Sequence, residues 1–493
     1  MTPIRPVSSG GRVALLLRAT HAVVVLSAGA LVAIYLAIAA RTLAYPYPLE
    51  WMEGGSVDVI GRVLAHLPIY TAPSADYVPY IYTPLYYVVG ALAARCLHLD
   101  FLAARLVSFV AICGASAIVW RFIRREGGSR VAALAGVGLL AAAYDTVDRA
   151  FHLARVDSLF LLLLLAAFYA FRFWRGLRGA LASGVLFWLA FLTKQTTLMV
   201  AAVALSVIAV SETRRAAIAA LVCAALVLGT TIVMDARSGG WWSYFVFRLP
   251  TLQPLDARMW RWFWRYDMGP GRAIPLAGAA LLVVVAARRD RWGAAFYPGL
   301  LAGCIGASWL SRVHSGGAPN VLLPAMASLS IALPLAVETL RGRGVLQLGG
   351  WVALAAQLVM GLHVPLHAVP TAADRAAGDE LVRFLRGIDG DVMVWHQRFV
   401  ETRAGKRSWG LEMAAEDVLR SSDDATAEAL KADIIRAARA RRFVGVMDPP
   451  DWLREAVVFG APTDVFVDPG VFRPVAGAPK RPLEYFPLAP PLR

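Results

Sequence analysis

Charge and cysteine are both scarce in this chain. Only 17% of its 493 residues are Asp, Glu, Lys or Arg, against 58% hydrophobic residues and a mean hydropathy of +0.58. That shortage of charge excludes an ordinary water-soluble globular protein, whose charged share is about a quarter. The four cysteines, Cys96, Cys113, Cys223 and Cys304, stand in or beside apolar segments with no CxxC pair and no His-rich companion. Their spacing argues against a disulfide framework and against a cysteine zinc site. Lysine is scarcer still, with four in the chain. Internal repeats are absent.

What is present is apolar length. A hydrocarbon core of about 30 Å needs ~20 apolar residues per helix, and such stretches recur from about Leu15 to Gly361, then stop beyond Pro370. The first of them exceeds a signal-peptide core and has no clear cleavage site, so it reads as a retained span. Charge divides at the same place. Residues 1–369 carry 31 Lys+Arg against 15 Asp+Glu, and residues 370–493 carry 18 against 19. The net charge of +15 therefore belongs to the apolar part, where arginines in short loops meet lipid phosphate rather than nucleic acid.

Residues 83–101 are apolar but short, and contain Arg95 and His98. Treated as interfacial or re-entrant, they leave about eleven spans, with cores near 14–40, 103–120, 130–147, 158–173, 180–193, 196–211, 216–234, 273–287, 293–310, 321–340 and 345–363. The arginine-rich connections "RFIRREGGSR", "RFWRGLRG", "ETRR", "RRDR" and "RGRG" then share one side with Arg5, Arg12 and Arg18. The positive-inside rule puts that side in the cytoplasm. The expected fold is a polytopic α-helical membrane protein: a transmembrane domain over 1–369, with its first extracytoplasmic loop at 41–102, and a small soluble extracytoplasmic α/β domain over 370–493.

In the soluble part, Thr371 and Asp374 predict a capped helix over 371–388, "DVMVW" and "FVGVM" predict buried strands flanking a helix over 424–441, and the proline-rich tail "RPLEYFPLAPPLR" predicts an extended coil. The loop 235–272 alternates Trp with Arg, which suits an interfacial anchor or a lid over a lipid-linked substrate.

This topology gathers ionisable groups at the outer face, and such groups in a membrane protein mark function by default. An outer-face enzyme has no nucleotide sugars, so its activated donor must come from the membrane, as polyprenyl-phosphate sugars do. Transfer to a hydroxyl needs a general base and cations for the phosphate leaving group. Glu50, Glu53 and Asp58 are candidates for the base, and Arg149, Arg155, Lys194 and Arg312 for the phosphate clamp. His314 and His152 are candidate acid/base or metal-ligating groups. Tyr82 and Tyr86, in a tyrosine-rich stretch, offer faces on which sugars stack, while Gly54 and Gly55 permit close backbone approach.

The order "PLEWMEGGSVD", "IYTPLYY", "ARLVS", "ARVDSLFLLLLLAAFYAFR" and "FLTKQTT" resembles the GT-C superfamily of polyprenyl-phosphate-sugar glycosyltransferases, in the branch with protein O-mannosyltransferases and lipid A aminoarabinose transferases. The resemblance covers most of residues 14–340. It implies an inverting hexosyl or pentosyl transfer without a nucleotide or covalent intermediate, and a carboxylate in the first outer loop as base. Glu53 matches that carboxylate, with Glu50 as the alternative, and Asp157 beside Arg155 matches the acid before the fourth span. Divalent metal use varies among members, so a metal stays open. The implied partners are a polyprenyl-phosphate-linked sugar donor, a glycan, lipid or protein acceptor, and the bilayer of a bacterial inner membrane. Two alternatives stand beside this reading: a transporter or flippase of lipid-linked sugar, and a non-catalytic assembly protein.

The arginine pattern makes the first prediction. Alkaline phosphatase fused after residue 370 is expected to be active, and a silent phosphatase with an active cytoplasmic reporter at that site would invert the topology.

Overall fold

The computed structural model describes residues 9–289, 293–410, 412–466, 468 and 470–490. Arg5, residues 290–291 of the "RRDR" loop and the final three residues of the tail lie outside the described residues. The chain is a helical bundle of α1 (Ser9–Thr42), α4 (Phe101–Arg125), α5 (Arg130–Ala142), α6 (Asp157–Phe173), α7 (Gly176–Phe191), α8 (Thr197–Ser238), α9 (Ala273–Arg289), α10 (Gly293–Val313), α11 (Leu323–Glu338) and α12 (Val345–Met360). The helices α2 (Glu53–Leu64) and α3 (Leu85–Leu97) lie in the first long connection. Among the described residues, six helices are long and apolar enough to cross a membrane, and shorter apolar helices fill the bundle between them.

Helix α8 accounts for two of the expected spans. Its 42 residues would measure about 63 Å if straight, twice a bilayer core. Glu212 leaves helical geometry, with φ −133° and ψ 49°, and the chain folds back there. On one side of the bend Gly303 of α10 meets the carbonyl of Val200; on the other, Gly184 of α7 meets the carbonyl of Ala219, and Trp188 Nε1 donates to Thr230 Oγ1 at 2.9 Å. Glycines let these helices close to backbone contact, the usual device where lipid removes any hydrophobic drive to pack. At the bend Arg215 pairs with Glu212 and donates to the Phe171 carbonyl, which holds the C-terminal end of α6 against the bend of α8.

Helix α3 is short and turns back into α4. Its 13 residues reach about 20 Å, its first amide donates to the Leu192 carbonyl at 2.7 Å, and its last residue runs through His98, at φ 67°, directly into α4. Both its ends therefore lie at one end of the bundle. Helix α11 is apolar on every side and buried from Leu323 to Val337, which places it at the centre.

Residues after 370 fold as an α/β unit with α13 (Ala372–Gly387), α14 (Glu412–Leu419) and α15 (Asp424–Arg439). Thr371 and Asp374 form the reciprocal capping box at the start of α13. The strands are β1 (Val392–Val394), β2 (Gly445–Met447), β3 (Thr463–Asp464) and β4 (Glu484–Pro487), in sheet order β1-β2-β4-β3, with β1 and β2 parallel across α15. The tail differs from the expected coil. Residues 484–487 form β4, which pairs antiparallel with β2 and β3, because alternating Tyr485 and Phe486 have two hydrophobic faces to cover and Pro487 falls at the strand's end.

This unit sits on the site end of the bundle. Tyr47 Oη donates to Asp379 at 2.6 Å, Ser408 Oγ to Asp58 at 2.7 Å, and the Gly410 amide to the Ala75 carbonyl at 2.6 Å. Gly54 is the tightest point: a Cβ there would stand 1.9 Å from the Arg398 carbonyl oxygen. Gly54→Ala is therefore expected to loosen the docked domain, read as a lower melting temperature and faster protease nicking near residue 370. Unchanged nicking and melting in Gly54→Ala would show that this contact does not hold the domain.

Candidate functional site

Two buried ionic clusters meet at the domain junction. In the first, Glu53 opens α2 and Arg105 stands near the start of α4, both with no exposed surface. The guanidinium grips the carboxylate with both arms, Nε to Oε1 at 2.9 Å and Nη2 to Oε2 at 2.6 Å. The amides of Leu49 and Ala154 donate to the same carboxylate at 2.6 and 2.7 Å. Arg105 also donates to the carbonyls of Thr42, Tyr45 and Tyr47. Burial pushes the Glu53 carboxyl upward, but Arg105 and the two amides outweigh it and hold Glu53 below the usual carboxylate range.

The second cluster borders a cavity of about 970 Å³ between the bundle and the C-terminal unit. Glu50, Tyr82, Arg155, Lys194 and Asn320 line it. Arg155 bridges two acids, Nη1 to Glu50 at 2.9 Å and Nε to Asp157 at 3.2 Å. Asp157, fully buried at the start of α6, also accepts from Lys194 Nζ at 2.7 Å and from Asn320 Nδ2 at 2.9 Å. Among the described residues Glu50 Oε2 accepts from the Met52 amide alone, at 3.0 Å. Burial raises the Glu50 carboxyl to about 7 even though Arg155 pulls against it. The two glutamates, three residues apart, thus occupy opposite environments: Glu53 is saturated by four N–H donors, and Glu50 faces the cavity with a proton affinity near neutrality.

The remaining candidates fall in several places. Arg312 and His314 line the cavity; Arg312 pairs with Asp267 at 2.8 Å, and burial lowers His314. Arg149 pairs with Asp145 at 2.7 Å and reaches the Val475 carbonyl, away from the cavity wall. Asp58 meets Ser408 and Arg398 in the domain junction. Tyr86 is wholly buried, donating to the Ala104 carbonyl at 2.9 Å. His152 is buried against Thr42 Oγ1 at 2.8 Å and is lowered by burial to about 4, so it is neutral at pH 7. Among the described residues no cluster of three His, Cys, Asp or Glu stands ready for a metal ion. Of the acids at the cavity, Glu50 and Asp157 are engaged by Arg155 and Lys194.

Two supporting residues, Arg105 and Asn320, were not singled out from the sequence. Arg105 carried a signal, an arginine close to the start of an apolar span. Asn320 carried none, since an asparagine in the glycine-rich loop "SRVHSGGAPN" is ordinary turn chemistry.

The loop 235–272 forms one wall of the cavity through residues such as Phe247, Pro250 and Gln253. Its first half is anchored by Trp242, which is fully buried, while Trp260, Trp262 and Trp264 are 40–44% exposed in the second half.

The fold recurs in solved structures. Over 86% of this chain and 96% of the other, the fold superposes with a TM-score of 0.59 on the crystal structure of ArnT from Cupriavidus metallidurans bound to undecaprenyl phosphate, at 14% identity. The apo state of the same ArnT gives a TM-score of 0.56 over 85% of this chain, also at 14% identity. This chain has the ArnT fold. No family model matches it, and no curated protein sequence matches it.

The first cluster generates a stability prediction. Glu53→Gln leaves Arg105 buried without its counter-charge, a loss of about 3–5 kcal/mol in such pairs. Because the Glu53 carboxyl is held low, its contribution is present at neutral pH and is lost as pH falls through its native value. Thermal melting in detergent at pH 7 is expected to drop for Glu53→Gln, with the gap to wild type closing in acid. An unchanged melting temperature at pH 7 would remove the structural role.

Proposed function

We propose that the protein is a polyprenyl-phosphate-sugar-dependent glycosyltransferase of GT-C type, moving a hexose or pentose to an acceptor hydroxyl at the extracytoplasmic face of a bacterial inner membrane, with inversion. The N-terminus is cytoplasmic and the C-terminal unit extracytoplasmic in this reading. The observation that carries it is the cavity where Glu50 stands one guanidinium away from the Asp157–Lys194 pair, at the end of an ArnT-like bundle. The related ArnT is bound to undecaprenyl phosphate, which supports a polyprenyl-phosphate ligand here.

The chemistry assigns each group one task. Glu50 accepts the proton of the acceptor hydroxyl as that oxygen attacks the anomeric carbon of the sugar. The bond from that carbon to the phosphate oxygen breaks, and its electron pair leaves on the polyprenyl phosphate. Lys194 and Arg155 stabilise the growing phosphate charge in a site shielded from water. Asp157 touches neither reactant; it orients both cations, with Asn320 fixing its carboxylate. Glu53, the residue that best matches the family's base, is here a positioning residue, because all its acceptor directions are occupied by Arg105 and two amides. The neighbouring Arg312 lines the cavity and extends the cationic wall toward the lipid phosphate. No observation favours a transporter.

The test is release of polyprenyl phosphate, followed by mass spectrometry, from a panel of polyprenyl-phosphate sugars. Wild type is expected to turn over one of them, with a rate that rises through about pH 7 as Glu50 loses its proton. Glu50→Gln is expected to bind donor and lose about 10²–10⁴-fold in kcat. Near-normal turnover in Glu50→Gln would displace the base. Failure of wild type both to release and to bind polyprenyl phosphate would end the reading as a whole.

A further inference from the structure

The cavity has a second polar pole, supplied by the C-terminal unit rather than the bundle. Asp417, on α14, lines the cavity while being only 3% exposed. Its position is fixed from two sides. Gln253, from the Trp-rich loop, donates through Nε2 to the Asp417 carbonyl at 2.7 Å and accepts from Arg420 Nε at 3.0 Å. Arg420 in turn pairs with Asp417 Oδ1. The other carboxylate oxygen, Oδ2, is buried with no hydrogen-bond partner among the described residues. A buried carboxylate oxygen left unmatched is costly, so a carboxylate oriented this carefully and left open implies a missing donor.

The surroundings define the donor's chemistry. An ionised carboxylate only accepts hydrogen bonds, so the partner must present O–H or N–H groups. Burial raises the Asp417 carboxyl to about 6 against the pull of Arg420, which leaves it ionised at pH 7. Tyr82 stands between the two poles, within electrostatic reach of Asp417 and also of Arg155, Asp157 and Glu50. Trp51 lines the same cavity, with Lys480 Nζ 4.8 Å from its ring centre. Aromatic faces beside a buried carboxylate suit a polyhydroxylated ring, whose C–H face packs on the aromatic and whose hydroxyls reach the acid.

We propose that Asp417 recognises the sugar of the donor, its Oδ2 accepting hydrogen bonds from ring hydroxyl or amino groups while Arg155 and Lys194 hold the phosphate at the opposite pole. Gln253 and Arg420 are positioning residues for it. This inference rests on the glycosyltransferase reading and extends it: the C-terminal unit is the part that distinguishes a loaded donor from the spent polyprenyl phosphate.

The experiment compares two ligands on the full-length protein in nanodiscs: bare undecaprenyl phosphate, and the undecaprenyl-phosphate sugar that wild type turns over fastest among glucose, mannose and an aminopentose. Asp417→Asn and Asp417→Ser are expected to bind bare undecaprenyl phosphate as wild type does, which also reports intact folding. Both are expected to bind the sugar-bearing donor about tenfold or more weakly, as befits a lost hydrogen bond to a charged group. Equal affinity for the loaded donor in the variants and wild type would overturn the assignment. So would a loss confined to the acceptor KM, which would move Asp417 to the acceptor. A wild type that binds neither ligand would instead overturn the function on which the inference rests.

Discussion

The bidentate pair of Glu53 with Arg105 is the joint from which the cavity end of the molecule hangs. Two amides and three carbonyls converge on it from the end of α1, the turn before α2, and the stretch leading into α6. Burial of two charges is favourable only when nearly every donor and acceptor is matched, and here they are. By setting Leu49 and Ala154, the pair also sets their neighbours Glu50 and Arg155, which pair at the cavity wall at 2.9 Å. The geometry of the cavity wall is therefore inherited from a structural ion pair that does not reach the cavity.

Much of the bundle was legible in the sequence because lipid imposes a simple length rule and arginines mark loop parity. Even the shortness of α3 and the reversal at Glu212 follow from apolar length interrupted by charge. The C-terminal unit was legible where local chemistry is strong, as in the Thr371 and Asp374 box, and illegible where a proline-rich tail becomes a strand only because β2 and β3 offer it edges. Tertiary demand overrides local composition at that point.

At the cavity, residue type and spacing picked out several groups that the fold brings together, but not which of them pair with one another. Glu50, Arg155, Asp157 and Lys194 converge, whereas Asp58, Arg149, His152 and Tyr86 are occupied elsewhere. Nothing in "EWME" distinguishes two glutamates three residues apart. The distinction comes from which one meets Arg105, 52 residues later, and no local pattern carries that information. Asp417 was invisible for the same reason, since what sets it apart is an oxygen with no hydrogen-bond partner among the described residues.

The order of strands in the sheet has a consequence for biosynthesis. The segment at Val475–Gly477 lies over the first loop, with the amides of Val475 and Ala476 on the Leu49 carbonyl and the Gly477 amide on Asp148. It leads directly into β4, which must slot between β2 and β3 before the sheet is complete. A nascent chain can thus pack its helices and close the Glu53–Arg105 joint early, yet the roof above Glu50 is not laid until residues 475–487 have been synthesised. Assembly order makes the pocket the last thing the molecule acquires.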